Sequence, residues 1–224
     1  YEEIAILWNQ EVKYRPNFSI VDGTVNLPVI FAKVCGVKNA EVPQYWAKIK
    51  ELLVENTLVV KNRPMVHGTD ANPVKPFATE FLKNGKLQRA KIKNHKSYQY
   101  GVLREGMQEY ILDKLQTLID QRLIKGTFQN GTEYTIVSTV LNMGRDTIRL
   151  LQKFDFTKKN PKLVYINTTE RMITLEDSIL VMYLNLVGFD VVFYIPTGYQ
   201  NVEKYFAKAM MEEHQLGEYL YDLQ

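Results

Sequence analysis

The residues best suited to hold a ligand lie in one short loop near the end of the chain, within "VVFYIPTGYQNVEKYF". An apolar run ends there in Pro196, Thr197, Gly198 and Tyr199, and Asn201 follows as a natural N-cap for a predicted helix. In open α/β sheets, ligands bind outside the carboxyl ends of the strands, and helix N-termini present free N–H groups to anions. The loop therefore predicts a site for an anionic group such as a phosphate.

The side chains of this loop suit such a ligand. Thr197 offers a hydroxyl group, Gly198 allows close approach of the backbone, and Tyr199 offers a flat ring and a hydroxyl group. Glu203 is suited either to bind a ribose hydroxyl or to hold a neighbouring group. The alternative is an ordinary strand-to-helix turn, in which the glycine and Asn201 serve backbone geometry alone. The pattern is neither G-x-G-x-x-G nor a P-loop, so both interpretations stay open.

A second loop, "NTTERMITLED", is expected to lie beside the first, because each follows a predicted strand of the same parallel sheet. Its candidate ligand contacts are polar or charged side chains at the strand end: Asn167, Thr168, Thr169, Glu170 and Arg171. Thr174 fits the N-cap of the next helix, and Glu176 and Asp177 fit its first turn, where carboxylates suit the helix dipole. We interpret these last three as helix-start residues.

Other polar clusters have structural interpretations. The stretch from residue 83 to 104 carries seven basic residues and no acid, with two tyrosines interleaved; we interpret it as a solvated face and do not expect nucleic acid as a partner. His67, His95, His214 and Cys35 lack metal-ligand spacing, so no metal site is predicted and no cofactor is indicated. The "HGTD" cluster at residues 67–70 favours turn chemistry over a role in a cleft.

The positions of these candidates depend on the predicted elements. The segment "FSIVDGTVNL" predicts a β-hairpin around Asp22-Gly23, and "LPVIFAKVCGV" a short helix. Apolar spacing predicts amphipathic helices in "VPQYWAKIKELLVEN" and "REGMQEYILDKLQTLIDQRLIKG", and one further long helix over "TEYTIVSTVLNMGRDTIRLLQKFDF". Near the end, "KLVYI", "TLEDSILVMYLNLVG", "FDVVFYI" and "NVEKYFAKAMMEEH" predict strand, helix, strand and helix. "GEYLYDL" and "TLVVK" are expected to be strands.

Composition and charge limit the classes of protein to which this chain can belong. The 224 residues are 46% hydrophobic and 24% charged. These values are typical of globular proteins, and no apolar run is long enough for a membrane helix. A single cysteine cannot form an internal disulfide, which favours the cytoplasm. The net charge of +3 combines a basic first part with an acidic end. We predict an α/β protein: a mostly helical, basic part with a hairpin over 1–160, and a small Rossmann-like βαβα part over 161–224.

Several segments resemble a known family. They are "LED", "LNLVGFD", "PTGY" and "GEYLYDL" after residue 174, with "YRPNFSI", "LREGMQEYILDKLQ" and "LQKFDF" before it. The chain resembles the YceG-like family of bacterial tellurium-resistance and stress-response proteins. The resemblance spans most of this chain and implies that it corresponds to the C-terminal portion of a longer protein. It also implies a setting beside TelA-like and TerD-like proteins in a biosynthetic module, but it supplies no catalytic residues.

Two functions are expected from these observations. The first is binding of a nucleotide, sugar nucleotide or other phosphorylated ligand at the two C-terminal strand ends, with group transfer of the glycosyltransferase type as the reaction suggested by analogy. The second is a non-enzymatic protein-interaction module for TelA-like or TerD-like partners, suggested by long amphipathic helices and abundant tyrosine.

Overall fold

The described part of the chain contains both strands and helices. The computed structural model describes residues 2–66, 71–155, 157–199 and 201–224, so the "HGTD" cluster lies outside the described residues. The strands are β1 Ser19–Val21, β2 Thr24–Asn26, β3 Phe31–Cys35, β4 Thr57–Lys61, β5 Leu82–Lys83, β6 Lys86–Leu87, β7 Lys162–Ile166, β8 Asp190–Ile195 and β9 Glu212–Gln215. The α-helices are α1 Glu2–Asn9, α2 Val42–Leu52, α3 Ala78–Phe81, α4 Arg89–Lys93, α5 Glu105–Asp120, α6 Thr132–Val140, α7 Arg145–Gln152 and α8 Leu175–Val187.

Five of the strands form one parallel sheet in the order β4-β7-β8-β3-β9. Strands β7 and β8 are neighbours joined through α8, so the predicted strand–helix–strand unit is confirmed. The sheet also takes β3 and β4 from the amino-terminal part of the chain, and β3 lies between β8 and β9. All five carboxyl ends therefore meet at one edge of the sheet, where the candidate loops begin.

Helices cover both faces of this sheet. In β8, Val191, Phe193 and Ile195 pack into a core with α5, α6 and α8, and the alternate residues Val192 and Tyr194 pack into a second core with α1 and α2. Because both faces are buried, β7 and β8 are continuous apolar runs without polar alternation. The chain is thus a mixed α/β protein with helical layers on both sides of the sheet.

Local sequence signals placed several elements correctly. The β1–β2 hairpin is confirmed, with Asp22 and Gly23 at φ 50° and 77° in its turn. The predicted helices α2, α5 and α8 and the strands β4, β7 and β8 are also present. Thr174 caps α8, because its hydroxyl oxygen accepts the Asp177 N–H at 3.1 Å. Caps and turns depend on neighbouring residues, which is why the sequence alone identifies them.

The helix predicted over "LPVIFAKVCGV" is wrong. Residues Phe31–Cys35 form the parallel strand β3, with Ala32 and Val34 facing one core and Cys35 the other. A strand buried on both faces has no alternation in its sequence, so a short apolar run does not distinguish it from a buried helix. Residues Phe31–Cys35 form a strand because they pair with β8 on one side and β9 on the other, and these two strands lie between residues 190 and 215.

The final helix of the predicted βαβα arrangement is also wrong. Asn201–Glu203 is a single 3₁₀ turn, and β9 follows. The Lys125 N–H donates to the Tyr205 carbonyl, and the Ala207 N–H donates to the Leu123 carbonyl, so this stretch pairs as extended backbone with a distant segment. Long-range pairing overrides the helical pattern here, and the Rossmann-like description is not confirmed.

Two smaller expectations need correction. The "GEYLYDL" segment is not a strand; it makes an isolated bridge from Glu218 to Val37 and otherwise runs as hydrogen-bonded coil. The long helix predicted from Thr132 to the region of residue 155 is two helices, α6 and α7. Gly144 has extended backbone at the start of α7, which separates the two helices.

A buried group of charges lies at the amino ends of β7 and β8. Arg15 donates to both carboxylate oxygens of Asp190 at 2.7 Å, and the Lys162 amine donates to the same carboxylate at 2.6 Å. Burial raises the pKa of Asp190, but the Arg15 hydrogen bonds and the charges of both cations outweigh it and lower the pKa overall. Burial lowers the pKa of Lys162 despite this partner. We call Arg15, Lys162 and Asp190 the amino-end charge cluster.

Candidate functional site

The two loops predicted to bind a ligand leave neighbouring strands at the carboxyl edge, as expected. The loop that follows β8 begins at Pro196, and we call it the β8 loop. Its Gly198 N–H donates to the Ile195 carbonyl at 3.0 Å, and its Tyr199 N–H donates to the Thr197 hydroxyl at 3.2 Å. Pro196 and Thr197 are buried, and Gly198 has φ 72°. Hydrogen bonds inside the turn thus use backbone N–H groups that the anion hypothesis assigned to a ligand.

The C-terminal segment, residues 216–224, lies over these strand ends. The N–H groups of Leu216, Leu220 and Asp222 donate to the carbonyl oxygens of Cys35, Pro196 and Thr168, at 2.9, 2.9 and 3.2 Å. The segment is therefore bonded to the ends of β3, β8 and β7 in turn. This part of the carboxyl edge is covered by the chain itself.

The ring of Tyr219 explains the glycine at position 198. A Cβ atom on Gly198 would lie 2.4 Å from Cζ of that ring, closer than any real contact. The positive φ of Gly198 is also costly for residues with a side chain. Gly198 thus permits close packing of the C-terminal segment on the β8 loop. A ligand at this loop stays a prediction.

The β7 loop is held by its own hydrogen bonds. Thr168 is buried; its N–H donates to the Asn62 side-chain oxygen at 2.8 Å, and its hydroxyl accepts from the Asn62 amide at 2.8 Å. The Thr169 hydroxyl donates to the Asn167 side chain at 3.3 Å, and Glu170 is exposed. The structure therefore links β7 to the loop after β4 through Thr168.

Asn201 and Glu203 occupy different surroundings. Asn201 is exposed and donates to the Tyr199 hydroxyl at 3.3 Å. The Glu203 carboxylate accepts from the Lys33 amine at 2.8 Å and from the N–H groups of Met210 and Met211 at 2.9 Å each. Burial raises the pKa of Glu203, but Lys33 and the two N–H groups lower it overall. Glu203 thus fixes the chain between the β8 loop and β9.

Asp177 does more than start a helix. It is fully buried, and its carboxylate accepts the N–H groups of Met65 and Val66 at 3.0 and 3.1 Å and the hydroxyl of Tyr165 at 2.5 Å. Burial of Tyr165 and the charge of Asp177 raise the pKa of that hydroxyl well above its usual value. Asp177 therefore fixes the loop that follows β4 against the start of α8.

A pocket of about 280 Å³ lies beside this anchored loop. The segment after β4 contributes Lys75, α3 contributes Thr79, and the first turn of α8 contributes Glu176. Helix α6 lines the pocket with side chains that carry hydroxyl groups: Tyr134, Thr135, Ser138 and Thr139. We call these seven residues the hydroxyl pocket. The walls formed by Lys75 and Glu176 belong to the segments that follow the carboxyl ends of β4 and β7, which is the edge of a parallel sheet where ligands bind, and α6 closes the pocket.

The charges of the hydroxyl pocket are not neutralised by each other. Within the part of the chain that the structure describes, no ion pair joins Lys75 to Glu176 or either of them to another residue. Lys75 is exposed at the rim, and Glu176 is half-buried. A cation, a carboxylate and several hydroxyl groups around one small space suit a ligand that carries both an anionic group and hydroxyl groups.

One local signal for this pocket is present in the sequence. Thr135, Ser138 and Thr139 follow the i, i+3, i+4 spacing, which places three hydroxyl groups on one face of α6. The partners on the other walls are about sixty residues before and about forty residues after this helix, so their proximity could only be seen in the fold. The sequence interpretation treated Glu176 as a helix-start residue and made no claim for Lys75.

Comparison with known proteins places the chain in a family. The model of the YceG domain matches residues 1–221. The chain belongs to the YceG family. The YceG protein of Bacillus subtilis (strain 168) is 23% identical over 226 aligned residues, which cover 99% of this chain and 42% of the relative. This YceG-family chain therefore spans less than half of that relative's length.

Within the described residues, three of the seven basic side chains in the 83–104 stretch of this YceG-family chain form ion pairs with α5, one of them Lys86 with Asp120. Arg89 forms ion pairs with Glu109 and Asp113, and Lys93 forms ion pairs with Glu105 and Glu109. These pairs fasten α4 along α5, which supports the interpretation as a solvated face. Burial, and to a smaller extent the nearby Glu105 charge, raises the pKa of the Tyr98 hydroxyl to about 12.

The described residues lack two kinds of feature. They contain no group of three or more His, Cys, Asp or Glu side chains arranged to hold a metal ion. Nor does any helix in the described ranges combine the length and apolarity that crossing a membrane requires.

Proposed function

We propose that this YceG-family chain binds a phosphorylated, hydroxyl-rich metabolite in the hydroxyl pocket. One observation carries the proposal. Lys75 and Glu176 face the same space of about 280 Å³ without pairing with each other, and the hydroxyl-bearing side chains of α6 line that space as well. The ligand class is the one expected from the sequence. The proposed binding place differs from the loop expected from the sequence, because the C-terminal segment covers the β8 loop.

The chemistry of each wall fits one part of such a ligand. The lysine ammonium is a compact point charge that suits a phosphate group at the rim. A carboxylate only accepts hydrogen bonds, so Glu176 suits the hydroxyl groups of a sugar. Ser and Thr hydroxyls both donate and accept, and they can adapt to either part. The volume is near the lower end for ligand pockets, which fits a monosaccharide-sized group.

Calorimetric titration with glucose 1-phosphate and with inorganic phosphate tests the proposal. We expect saturable binding of the sugar phosphate that Lys75→Ala weakens about tenfold or more, the size expected for loss of a charged hydrogen bond. Lys208→Ala removes an exposed lysine outside the pocket and serves as the control. Equal affinity in the wild type and the Lys75 variant would contradict the proposal.

The biological setting is part of the same proposal. The resemblance implies tellurium resistance and stress response, and a group transferase that consumes a phosphorylated donor fits that setting. We expect cells that depend on the full-length protein to lose tellurite protection with Lys75→Ala and to keep it with Lys208→Ala. Release of nucleoside diphosphate from a sugar nucleotide in the presence of the protein checks the transferase activity.

An interaction module is the second candidate. Three apolar side chains of the β1–β2 region are exposed: Tyr14 at 65%, Ile20 at 59% and Val21 at 62%. Exposed apolar side chains concentrated in one region of a protein favour protein contacts. We expect Ile20→Ser with Val21→Ser to abolish co-purification with TelA-like or TerD-like proteins while sugar phosphate binding stays unchanged. Unaltered co-purification would rule out this surface as the contact.

A further inference from the structure

A second cavity adjoins the hydroxyl pocket, and Tyr134 lines both. This cavity measures about 660 Å³ and is lined by Asn84, Gly85, Lys86, Arg122, Phe128 and Tyr134, among others; we call these six residues the aromatic groove. Tyr134 is 37% exposed and Phe128 is 38% exposed. Two accessible aromatic rings thus line a space that continues from the hydroxyl pocket along α6.

The backbone of the groove is unusual. Phe128 has φ 61°. This is a left-handed conformation that bulky residues rarely adopt and that raises the free energy of the folded state. Its N–H donates to the Glu133 carboxylate at 3.0 Å, which holds the strained residue in place. Arg122 and Gly85 also have positive φ, at 50° and 75°. Strain of this kind persists where the surrounding structure enforces it, and it often marks a ligand site.

The Phe128 ring is held from two sides. The Arg122 guanidinium lies 5.2 Å from the ring centroid. This arrangement is a cation–π contact. Gly85 lies at the ring edge, where an added Cβ atom would be 3.2 Å from Cζ. The ring is therefore fixed while Phe128 as a residue remains 38% exposed, as a stacking surface requires.

We propose that the aromatic groove binds the base of a nucleotide-linked sugar whose sugar and nearer phosphate occupy the hydroxyl pocket. This inference rests on the proposed function and narrows its ligand class. Stacking on Phe128 and Tyr134 suits a nucleobase, since every base has a flat π face. Lys75 lines the pocket and Arg122 lines the groove, so each space has a cation for a diphosphate linker. Two carboxylates also line the groove, but Asp120 pairs with Lys86 and Glu133 accepts the Phe128 N–H.

The sizes of the two spaces support a ligand of this length. The hydroxyl pocket alone is near the lower limit for a drug-sized ligand, whereas together with the groove it offers room for a nucleotide. Both spaces are lined by α6: Glu133 lines the groove, Tyr134 lines both spaces and Thr139 lines the hydroxyl pocket. Glu133 and Thr139 are separated by about 9 Å along the helix axis, so a single ligand can contact both spaces.

The test compares nucleotide-linked sugars with their sugar phosphates. UDP-glucose, ADP-glucose and GDP-mannose are titrated into the protein beside glucose 1-phosphate and mannose 1-phosphate. We expect at least one nucleotide-linked sugar to bind about tenfold or more tightly than its sugar phosphate, the size expected for one stacked base. Phe128→Asn should reduce this ratio to near one and leave the sugar phosphate affinity unchanged.

The stability of the Phe128→Asn variant makes the test specific. Asparagine tolerates the left-handed conformation better than phenylalanine, so we expect the thermal midpoint to stay the same or rise while base-dependent binding is lost. Tyr14→Asn is the matched control, since Tyr14 is also an exposed aromatic residue with a cation, Lys13, 5.0 Å from its ring centroid. It should not change any affinity.

The outcomes separate this inference from the function on which it rests. A wild-type protein that binds sugar phosphates and nucleotide-linked sugars equally well overturns the inference and leaves the proposed function standing. So does a Phe128→Asn variant that keeps the full ratio. Failure of every sugar phosphate and nucleotide-linked sugar to bind overturns the proposed function itself, and the inference with it.

Discussion

The amino-end charge cluster and the hydroxyl pocket lie at opposite ends of the same sheet and use similar groups differently. In the cluster, Arg15 and Lys162 are bonded to Asp190, which is fully buried. In the pocket, Lys75 and Glu176 face one space without pairing, and water can reach both. Buried charges that are bonded to each other hold parts of the fold together, whereas charges that face a space without pairing with each other are available to a ligand.

The largest effect is expected from Asp190→Asn. Removal of the carboxylate leaves Arg15 and Lys162 buried without an anion, which costs roughly 3–5 kcal/mol of unfolding free energy. Denaturant unfolding measures this loss. Glu176→Gln changes the same kind of group in the hydroxyl pocket and should alter stability by less than about 0.5 kcal/mol. Similar losses in the two variants would remove the distinction between the two regions.

A smaller effect is expected from Gly198→Val, about 2–3 kcal/mol of stability, because the left-handed backbone and the Tyr219 ring both oppose a side chain. A double-mutant cycle separates the two causes. Gly198→Ala in the wild type should cost both parts, whereas in a Tyr219→Ala background the same substitution should cost only the backbone part, about 1 kcal/mol. If the cost were the same in both backgrounds, the C-terminal segment would not pack on the β8 loop in solution.

Acid should destabilise the protein through the paired carboxylates. The pKa values of Asp190 and Glu203 are lowered in the folded state. Each therefore stabilises the fold above its unfolded pKa, near 4, and this contribution is lost as the pH falls through the folded value. Stability measured from pH 5 to pH 2 should decline. The decline should be shallower in Asp190→Asn; an identical slope would exclude Asp190 as a cause.

The smallest effect is expected from Thr135→Val, which removes one hydroxyl group of the pocket while keeping the shape of the side chain. Binding of a sugar phosphate should weaken by about 0.5–1.5 kcal/mol, the net value of one hydrogen bond. Thr117→Val on α5 provides the control, because that hydroxyl bonds only to its own helix at Asp113. Comparable losses in both variants would show that the change is not specific to the pocket.

The elements that the sequence predicted correctly are those with local causes. The Asp22-Gly23 turn and the Thr174 cap depend on neighbouring residues, and the apolar stripe of α5 repeats within one helix. Strand β3 was predicted as a helix because its apolar residues face two cores rather than one. The last predicted helix failed because Tyr205 pairs with Lys125, eighty residues earlier.

The candidate site shows the same limit. Thr197, Gly198 and Tyr199 formed a recognisable pattern, but no local feature indicated that residues 216–224 would lie over them. For the hydroxyl pocket, the sequence contains only one local signal, the spacing of three hydroxyl-bearing residues on α6. Lys75 and Glu176 are about a hundred residues apart, and their proximity depends on the sheet that brings β4 beside β7.

The position of β3 determines when the sheet can be completed during synthesis. This strand is made early, yet its two neighbours in the sheet are β8 and β9, which end at Ile195 and Gln215. At ribosomal rates of about 5–20 residues per second, β3 waits roughly 10–40 seconds with both edges unpaired. An apolar strand with open edges is prone to aggregation, so the nascent chain should depend on chaperones until β9 emerges.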